Sequence, residues 1–303
     1  MKYVHLDDAA ISIGGTNFTS IAILGSREHD IEHIPCSKLT MAQVKGYSDR
    51  LWILGNITGI FNLDKEIINE LLSNNTFIKI EFDYNFCQYR GEMCHQILGK
   101  DTCSCPHGIS GHPIIANIYD LIVKNNKFLF FMSQRQRAVY LRHLPFINFN
   151  RTEVLSSCFT KENFELFAKY RDLRSSTKRL SKYAIFGGFG GWHSEAKGTW
   201  EAKRFCESNK LDYDILQVRE YEDHIKTLSM YEGVVFLPIV DDTCPRSIIE
   251  SKLLGLKVIT NENAQHVSEY WWDLSISEIE SYLSERPNFF WRTVDETCSI
   301  ITS

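Results

Sequence analysis

Two carboxylates, Asp242 and Glu250, stand eight residues apart in the stretch VVFLPIVDDTCPRSIIESKLLGLKVITNENAQHVSE, residues 234–269. A carboxylate at Glu250, inside a helix, can accept hydrogen bonds from a vicinal pair of hydroxyls such as those of a ribose. The residues that open the helix, Thr243, Cys244, Pro245 and Arg246, form an amino-terminal end whose amides attract an anion such as a diphosphate. A second constellation lies upstream: GGFGG at 187–191, then Lys197-Gly198. Glycines, Gly190 among them, let backbone approach a phosphate, and Lys197 supplies a cation. The lysine lacks the glycine spacing and the following hydroxyl of a nucleoside-triphosphate phosphate loop.

These residues need elements to hold them. Val234–Ile239 has the length of a buried strand, Pro245 suits the first turn of a helix running through Leu254, Gly255 closes that helix, and Val258–Thr260 is the next strand. The same alternation precedes it: strand at Tyr183–Phe186, helix at Thr199–Ser208, strand at Tyr213–Leu216, helix at Tyr221–Ser229. Alternating strands and helices predict a parallel sheet covered on both faces, with ligands at the carboxyl ends of its strands. The first half reads similarly. Strands are expected at Tyr3–Leu6, Ile31–Ile34, Leu51–Leu54, Phe77–Ile80, Phe128–Met132 and Val154–Ser157. Helices are expected at Phe18–Leu24, Ile67–Leu72, Ile114–Val123 and after the capping Ser133. Arg135, Arg137 and Arg142 on that last helix either line a site or solubilise a surface. The polar, basic stretch RDLRSSTKRLS at 171–181 is crossed by no apolar pattern and marks a domain boundary, with domains at 1–172 and 173–303.

The second half resembles the carboxyl-terminal domain of the two-domain, B-type-fold glycosyltransferases, above all the large retaining, glycogen-synthase-like family that uses nucleotide sugars. Asp242 and Glu250 fall on that family's two acids, and Lys197-Gly198 on its Lys-Gly pair at a helix start. The first acid is usually Glu, and Thr-Cys-Pro replaces the usual Gly-aromatic-Gly. The resemblance implies an α/β fold of two Rossmann-like parallel-sheet domains facing a cleft, the first on the acceptor side and the second binding the donor, with a terminal helix crossing back to the first domain. It implies that Glu250 holds the donor ribose, that Lys197 holds the diphosphate, that Asp242 belongs to the reacting centre, and that Thr243, Cys244 and Pro245 line sugar and diphosphate, beside Arg246. The implied reaction moves a sugar from a UDP- or GDP-sugar to a hydroxyl acceptor, a glycan, a protein-linked glycan or a small molecule, with retention. No metal or other cofactor is required by this arrangement.

Candidates in the first half are more open. Gly14-Gly15 is either a plain turn or a place where a ligand meets backbone. Asp83, and after it Glu81, follows a buried strand, where site groups cluster, yet either can cap a helix or face water. His107 lies in an irregular, cysteine-rich stretch from 85 to 113 and is either a proton donor near a reacting sugar or a backbone-bonded histidine. Zinc bound by Cys94, Cys103, Cys105 and His107 is the alternative for that stretch, although the single residue between Cys103 and Cys105 is closer than the usual knuckle.

Composition bounds the rest. With 303 residues and 44% hydrophobic content, the chain can build two cores. A net charge of -5 promises no general attraction to nucleic acid, so transfer to hydroxylated DNA bases is the less favoured acceptor reading. Nine cysteines without a regular framework indicate reduced thiols and a cytoplasmic protein, and no leader or membrane span is legible. Monomer and homodimer both fit. A nucleotide-binding protein without turnover and a zinc-stabilised regulatory protein are the competing classes.

Overall fold

The computed structural model describes residues 3–8, 15–27, 30–57, 63–87, 89–99, 102–103, 105, 121–125, 127–177, 179–187, 195–217 and 220–302. The chain divides into two compact units, Met1–Cys158 with Arg286–Ser303, and Phe159–Glu285.

The first unit is built on a six-stranded sheet. Along the chain come β1 (Tyr3–Asp7), α1 (Gly15–Gly25), β2 (Ile31–Pro35), α2 (Met41–Gly46), β3 (Leu51–Leu54), α3 (Lys65–Asn74), β4 (Thr76–Glu81), α4 (Glu92–Gly99), β5 (Leu129–Phe131), α5 (Gln134–His143) and β6 (Thr152–Val154). Their spatial order is β2-β1-β3-β4-β5-β6, every pair parallel. Every residue of β1, β3 and β5 is buried; β3 and β5 are apolar throughout and do not alternate, whereas β1 carries the buried polar residues His5 and Asp7. Ser133 caps α5 by accepting a hydrogen bond from the Gln136 amide. Two of the α5 arginines are structural ties: Arg137 donates to Thr152 at the start of β6, and Arg142 pairs with Glu92 on α4 at 2.6 Å. The last strand of this sheet spans Thr152–Val154, so it shares only Val154 with the expected Val154–Ser157.

The second unit follows with α6 (Lys161–Ser176), β7 (Leu180–Phe186), α7 (Thr199–Ser208), β8 (Tyr213–Leu216), α8 (Tyr221–Ser229), β9 (Tyr231–Phe236), α9 (Arg246–Leu253), β10 (Lys257–Thr260) and α10 (Ile276–Ser284). Its four strands lie in the order β10-β9-β7-β8, all parallel. The chain steps from β7 to β8 on one side and then to β9 and β10 on the other. The order thus reverses between β7 and β9, and the crevice past the carboxyl ends of two such strands is where ligands bind in sheets of this kind.

The stretch 171–181 is not the boundary. A capping box between Thr160 and Asn163 starts α6, and the helix runs on to Ser176. Two of its basic residues, Arg171 and Arg174, face protein. Arg171 donates to the Leu253 carbonyl at 2.8 Å and pairs with Glu280, while the buried Arg174 donates to the carbonyls of Ser229, Tyr231 and Glu232. Cations that satisfy carbonyls at the end of α8 and along β9 belong to the second core, so the division falls at Phe159 and not after residue 172.

The final helix, α11 (Arg286–Thr302), belongs to the first unit and packs on α1. Trp291 Nε1 donates to the Ile23 carbonyl at 2.8 Å, and Arg27 lies 4.7 Å from the Trp291 ring centre while pairing with Asp295. Phe290 is fully buried, its ring 4.9 Å from that of Phe130 in β5. No helix among the described residues is long and apolar enough to cross a membrane. Truncating a buried Phe costs about 3–5 kcal/mol. Phe290→Ala is therefore expected to lower the free energy of unfolding by that amount in a denaturant titration; a loss below about 1 kcal/mol would mean that α11 is not part of this core.

Candidate functional site

The loops that leave β7, β9 and β10 carry the second unit's chemistry. After β7 the described chain resumes at Glu195 and turns through Lys197-Gly198 into α7. Thr199 Oγ1 donates to the Phe186 carbonyl at 3.0 Å, tying the start of α7 to the end of β7. Gly198 adopts φ 69°, and a Cβ built on it would stand 1.6 Å from the Leu237 carbonyl oxygen on the chain leaving β9. Only glycine allows that approach, because a side chain would meet both the left-handed backbone penalty and a backbone atom that cannot move aside. The Ile239 amide donates to the Ala196 carbonyl at 3.2 Å beside the same contact.

The β10 loop completes the brace. Asn261 and Asn263 each donate a side-chain N–H to the Pro238 carbonyl, at 3.0 and 2.9 Å. Asp242 forms a parallel bridge with Ala264, its amide donating to Asn263 and its carbonyl accepting from Gln265. These asparagines had no assigned role in the sequence; an Asn-x-Asn pair just past a strand was the available signal.

Held this way, Lys197 Nζ meets Asp242 Oδ2 at 2.5 Å. The lysine side chain is 47% exposed and the aspartate 10%, so the pair sits at the surface with its carboxylate sheltered. Asp242 Oδ1 also accepts from the Cys244 amide at 3.4 Å, which turns the chain into α9. Pro245 is the cap of that helix, one position before its first turn, and offers no side-chain acceptor; the first turn holds no acid. Two amides of this end bond within the turn, Arg246 to the Cys244 carbonyl at 2.8 Å and Ile248 to the Pro245 carbonyl at 3.2 Å, and the helix dipole adds partial positive charge there.

Glu250 sits one turn further in and is 3% exposed. Its Oε1 accepts from Tyr221 Oη at 2.8 Å and from Arg246 Nε at 2.8 Å. Arg246 also donates to Asn163 Oδ1 at 3.0 Å and lies 3.9 Å from the Phe159 ring centre. Burial works against the Arg246 charge, but the Glu250 carboxylate and the Tyr221 oxygen outweigh it and hold the guanidinium above its ordinary value. Burial, and then the Glu250 charge, push the Tyr221 phenol up, so it stays a neutral donor. Arg246 is thus an internal counter-charge that fixes Glu250. In sequence Arg246 stands among the donor-lining residues and is not paired with Glu250, although the i, i+4 spacing was the available signal; Tyr221, Asn163 and Phe159 come from other elements and leave none.

The first unit gathers fewer of the expected groups. Asp83 pairs with Arg90 across the turn after β4, and its carbonyl accepts from Gln136 and from Tyr140 at 2.9 Å. Glu81 is fully buried, 3.6 Å from Lys79 and accepting from Tyr140 at 2.7 Å and Asn85 at 3.0 Å, so it serves the interior. Gly15 is the first residue of α1. Gly14, His107 and Gly190 lie outside the described residues.

Two substitutions separate structure from chemistry. Gly198→Ala is expected to destabilise the protein by about 2–4 kcal/mol, the sum of a left-handed backbone and a clash; a thermal melt within a degree of the parent would overturn the close approach. Glu250→Ala leaves Arg246 buried without its charge partner, which costs about 3–5 kcal/mol. Glu250→Gln keeps shape and a hydrogen-bonding oxygen, so chemical unfolding should find it clearly the more stable of the two.

The chain matches no protein-family model and, by sequence, no curated protein. By structure it is similar to HepE of Anabaena in complex with UDP and glucose, with a TM-score of 0.55 and 10% identity over 99% of both chains. It is similar to sucrose-phosphate synthase of Thermosynechococcus elongatus, with a TM-score of 0.59 and 10% identity over 99% of this chain and 100% of that one. An alpha-glucosyltransferase in complex with UDP and a 13-mer DNA containing an HMU base gives 0.51, at 9% identity over 98% of this chain and 90% of that one. What the chain shares with them is the fold, that of the B-type glycosyltransferases with two parallel-sheet α/β units.

Proposed function

We propose that the chain is a glycosyltransferase that moves a sugar from a nucleotide-diphosphate sugar to a hydroxyl acceptor. The observation that carries this reading is the position of Lys197 and the leading end of α9. Both lie on loops past the carboxyl ends of β7 and β9, the strands between which the order of the sheet reverses. A diphosphate bound there takes the place of Asp242 as partner of Lys197 and rests against the α9 amides. Negative charge grows on the leaving diphosphate as the bond to the anomeric carbon breaks, and a preorganised cation and amides stabilise it as it forms. Released from the lysine, Asp242 is free to accept a sugar hydroxyl. Glu250, oriented by Arg246 and Tyr221, reaches the ribose through the oxygen not engaged in those bonds.

HepE and the alpha-glucosyltransferase were both solved with UDP, which supports a UDP-sugar over a GDP-sugar as donor. Retention follows the family resemblance. On the first unit Asp83 is the acceptor-side candidate. A carbohydrate or other small hydroxyl compound is the acceptor favoured by the net charge of -5.

A donor stabilises the folded protein in proportion to the logarithm of its concentration over its dissociation constant. UDP and one UDP-sugar should raise the melting temperature, and release of UDP should then require an acceptor; an HMU-containing oligonucleotide is one arm of that acceptor screen. Lys197→Ala, at an exposed position, should leave stability within about 0.5 kcal/mol and lower turnover about 100- to 1000-fold. Protection without turnover for any acceptor would favour a binding protein, and absence of protection by every nucleotide tested would contradict the proposal.

A further inference from the structure

The connection from β4 to β5 carries a cluster that the nucleotide site does not use. Cys87, His95, Cys103 and Cys105 are all buried, and one ligating atom of each lies within 4.8 Å of the other three. Cys87 follows the turn after β4, His95 sits in the first turns of α4, and Cys103 and Cys105 come from the chain beyond α4. The sequence pointed to Cys94, Cys103, Cys105 and His107. The structure keeps the middle two, replaces Cys94 by Cys87, and brings in His95; His107 lies outside the described residues. Cys94 precedes His95 by one position, which on a helix turns it about 100° away.

The distances are the informative part. Cys87 Sγ and Cys105 Sγ each lie 3.5 Å from His95 Nδ1, and Cys103 Sγ lies 3.6 Å from Cys87 Sγ. Zinc binds thiolate at about 2.3 Å and imidazole at about 2.0–2.1 Å. A tetrahedron with those arms has edges of about 3.8 Å between sulfurs and about 3.6 Å between sulfur and nitrogen. A disulfide would instead bring two sulfurs to about 2.05 Å, and no disulfide joins these cysteines. One thiol–imidazole hydrogen bond accounts for one of these contacts; a single nitrogen 3.5 Å from two sulfurs, with a third sulfur 3.6 Å from one of them, also suits a shared ion.

The backbone around Cys87 is shaped for this. Arg90 and Gly91 adopt φ of 62° and 139°, and the chain curls so that the Tyr89 amide donates to Cys87 Sγ at 3.4 Å. An N–H directed at a thiolate offsets part of the charge left when three thiolates and a neutral imidazole surround a divalent ion. Tyr89 covers His95 edge-on, ring centres 4.8 Å apart.

We propose that Cys87, Cys103, Cys105 and His95 Nδ1 bind one zinc ion in a closed structural site. Four protein ligands leave no open position for substrate, so the ion fastens the connection between β4 and β5 and takes no part in transfer. Binding displaces the thiol protons into solvent, so affinity rises with pH.

The test uses the full chain, purified without chelator. Elemental analysis should find about one zinc per chain, retained through dialysis. Cys103→Ser and His95→Ala should each reduce retained zinc at least tenfold, whereas Cys94→Ala and Cys206→Ser should keep it. If the ligand variants aggregate, cobalt titration of the metal-depleted parent decides: thiolate-to-cobalt charge transfer and the strong visible bands of a tetrahedral ion support the site. Zinc below a tenth of an equivalent together with no such cobalt spectrum would overturn it. So would a Cys87–Cys103 disulfide in non-reducing peptide mapping, or loss of zinc in Cys94→Ala.

Discussion

The approach of Gly198 to the Leu237 carbonyl sets the geometry on which the rest of the second unit's site depends. It joins the loop after β7 to the loop after β9 at a distance no side chain tolerates. Two strands that are neighbours in the sheet, but separated in sequence by β8 and two helices, thereby deliver Lys197 and Asp242 to the same point. The asparagines after β10 then fix the Leu237–Pro238 backbone from the far side. A lysine held on a braced turn costs less to order around an anion than one on a mobile loop, because much of its entropy is already spent.

Charge is handled in two different ways within a few residues. Lys197 is half exposed and its partner is a carboxylate, an arrangement that a bound anion can replace. Arg246 is buried, fixed by Glu250, Asn163 and the Phe159 ring, and removing its partner strands a charge inside the protein. The exposed cation is therefore suited to bind and release, and the buried one to hold a neighbouring acid still.

Much of the fold was legible because parallel sheets leave a strong pattern. Apolar runs such as Leu51–Leu54 and Val234–Ile239 read as buried strands because they are short and bounded by turn residues, although the second strand in fact spans Tyr231–Phe236. The Lys197-Gly198 pair and the Asp242 to Glu250 spacing were legible because they sit within local units. The boundary was misplaced because RDLRSST looks like solvent-facing chain, while its arginines are spent on carbonyls of the second core. The Thr160–Asn163 capping box was the local sign that a helix begins there and continues. Partners supplied from a distance, Tyr221 and Asn163 for the Arg246–Glu250 pair and Cys87 for the cysteine–histidine cluster, leave no periodic signal and needed the tertiary fold.

A structure of the protein crystallised with UDP tests the central claim most directly. The account predicts the diphosphate within hydrogen-bond distance of Lys197 Nζ and the leading amides of α9, the Lys197–Asp242 contact broken, and the ribose against Glu250. UDP bound elsewhere, or bound with Lys197 still paired to Asp242, would contradict it.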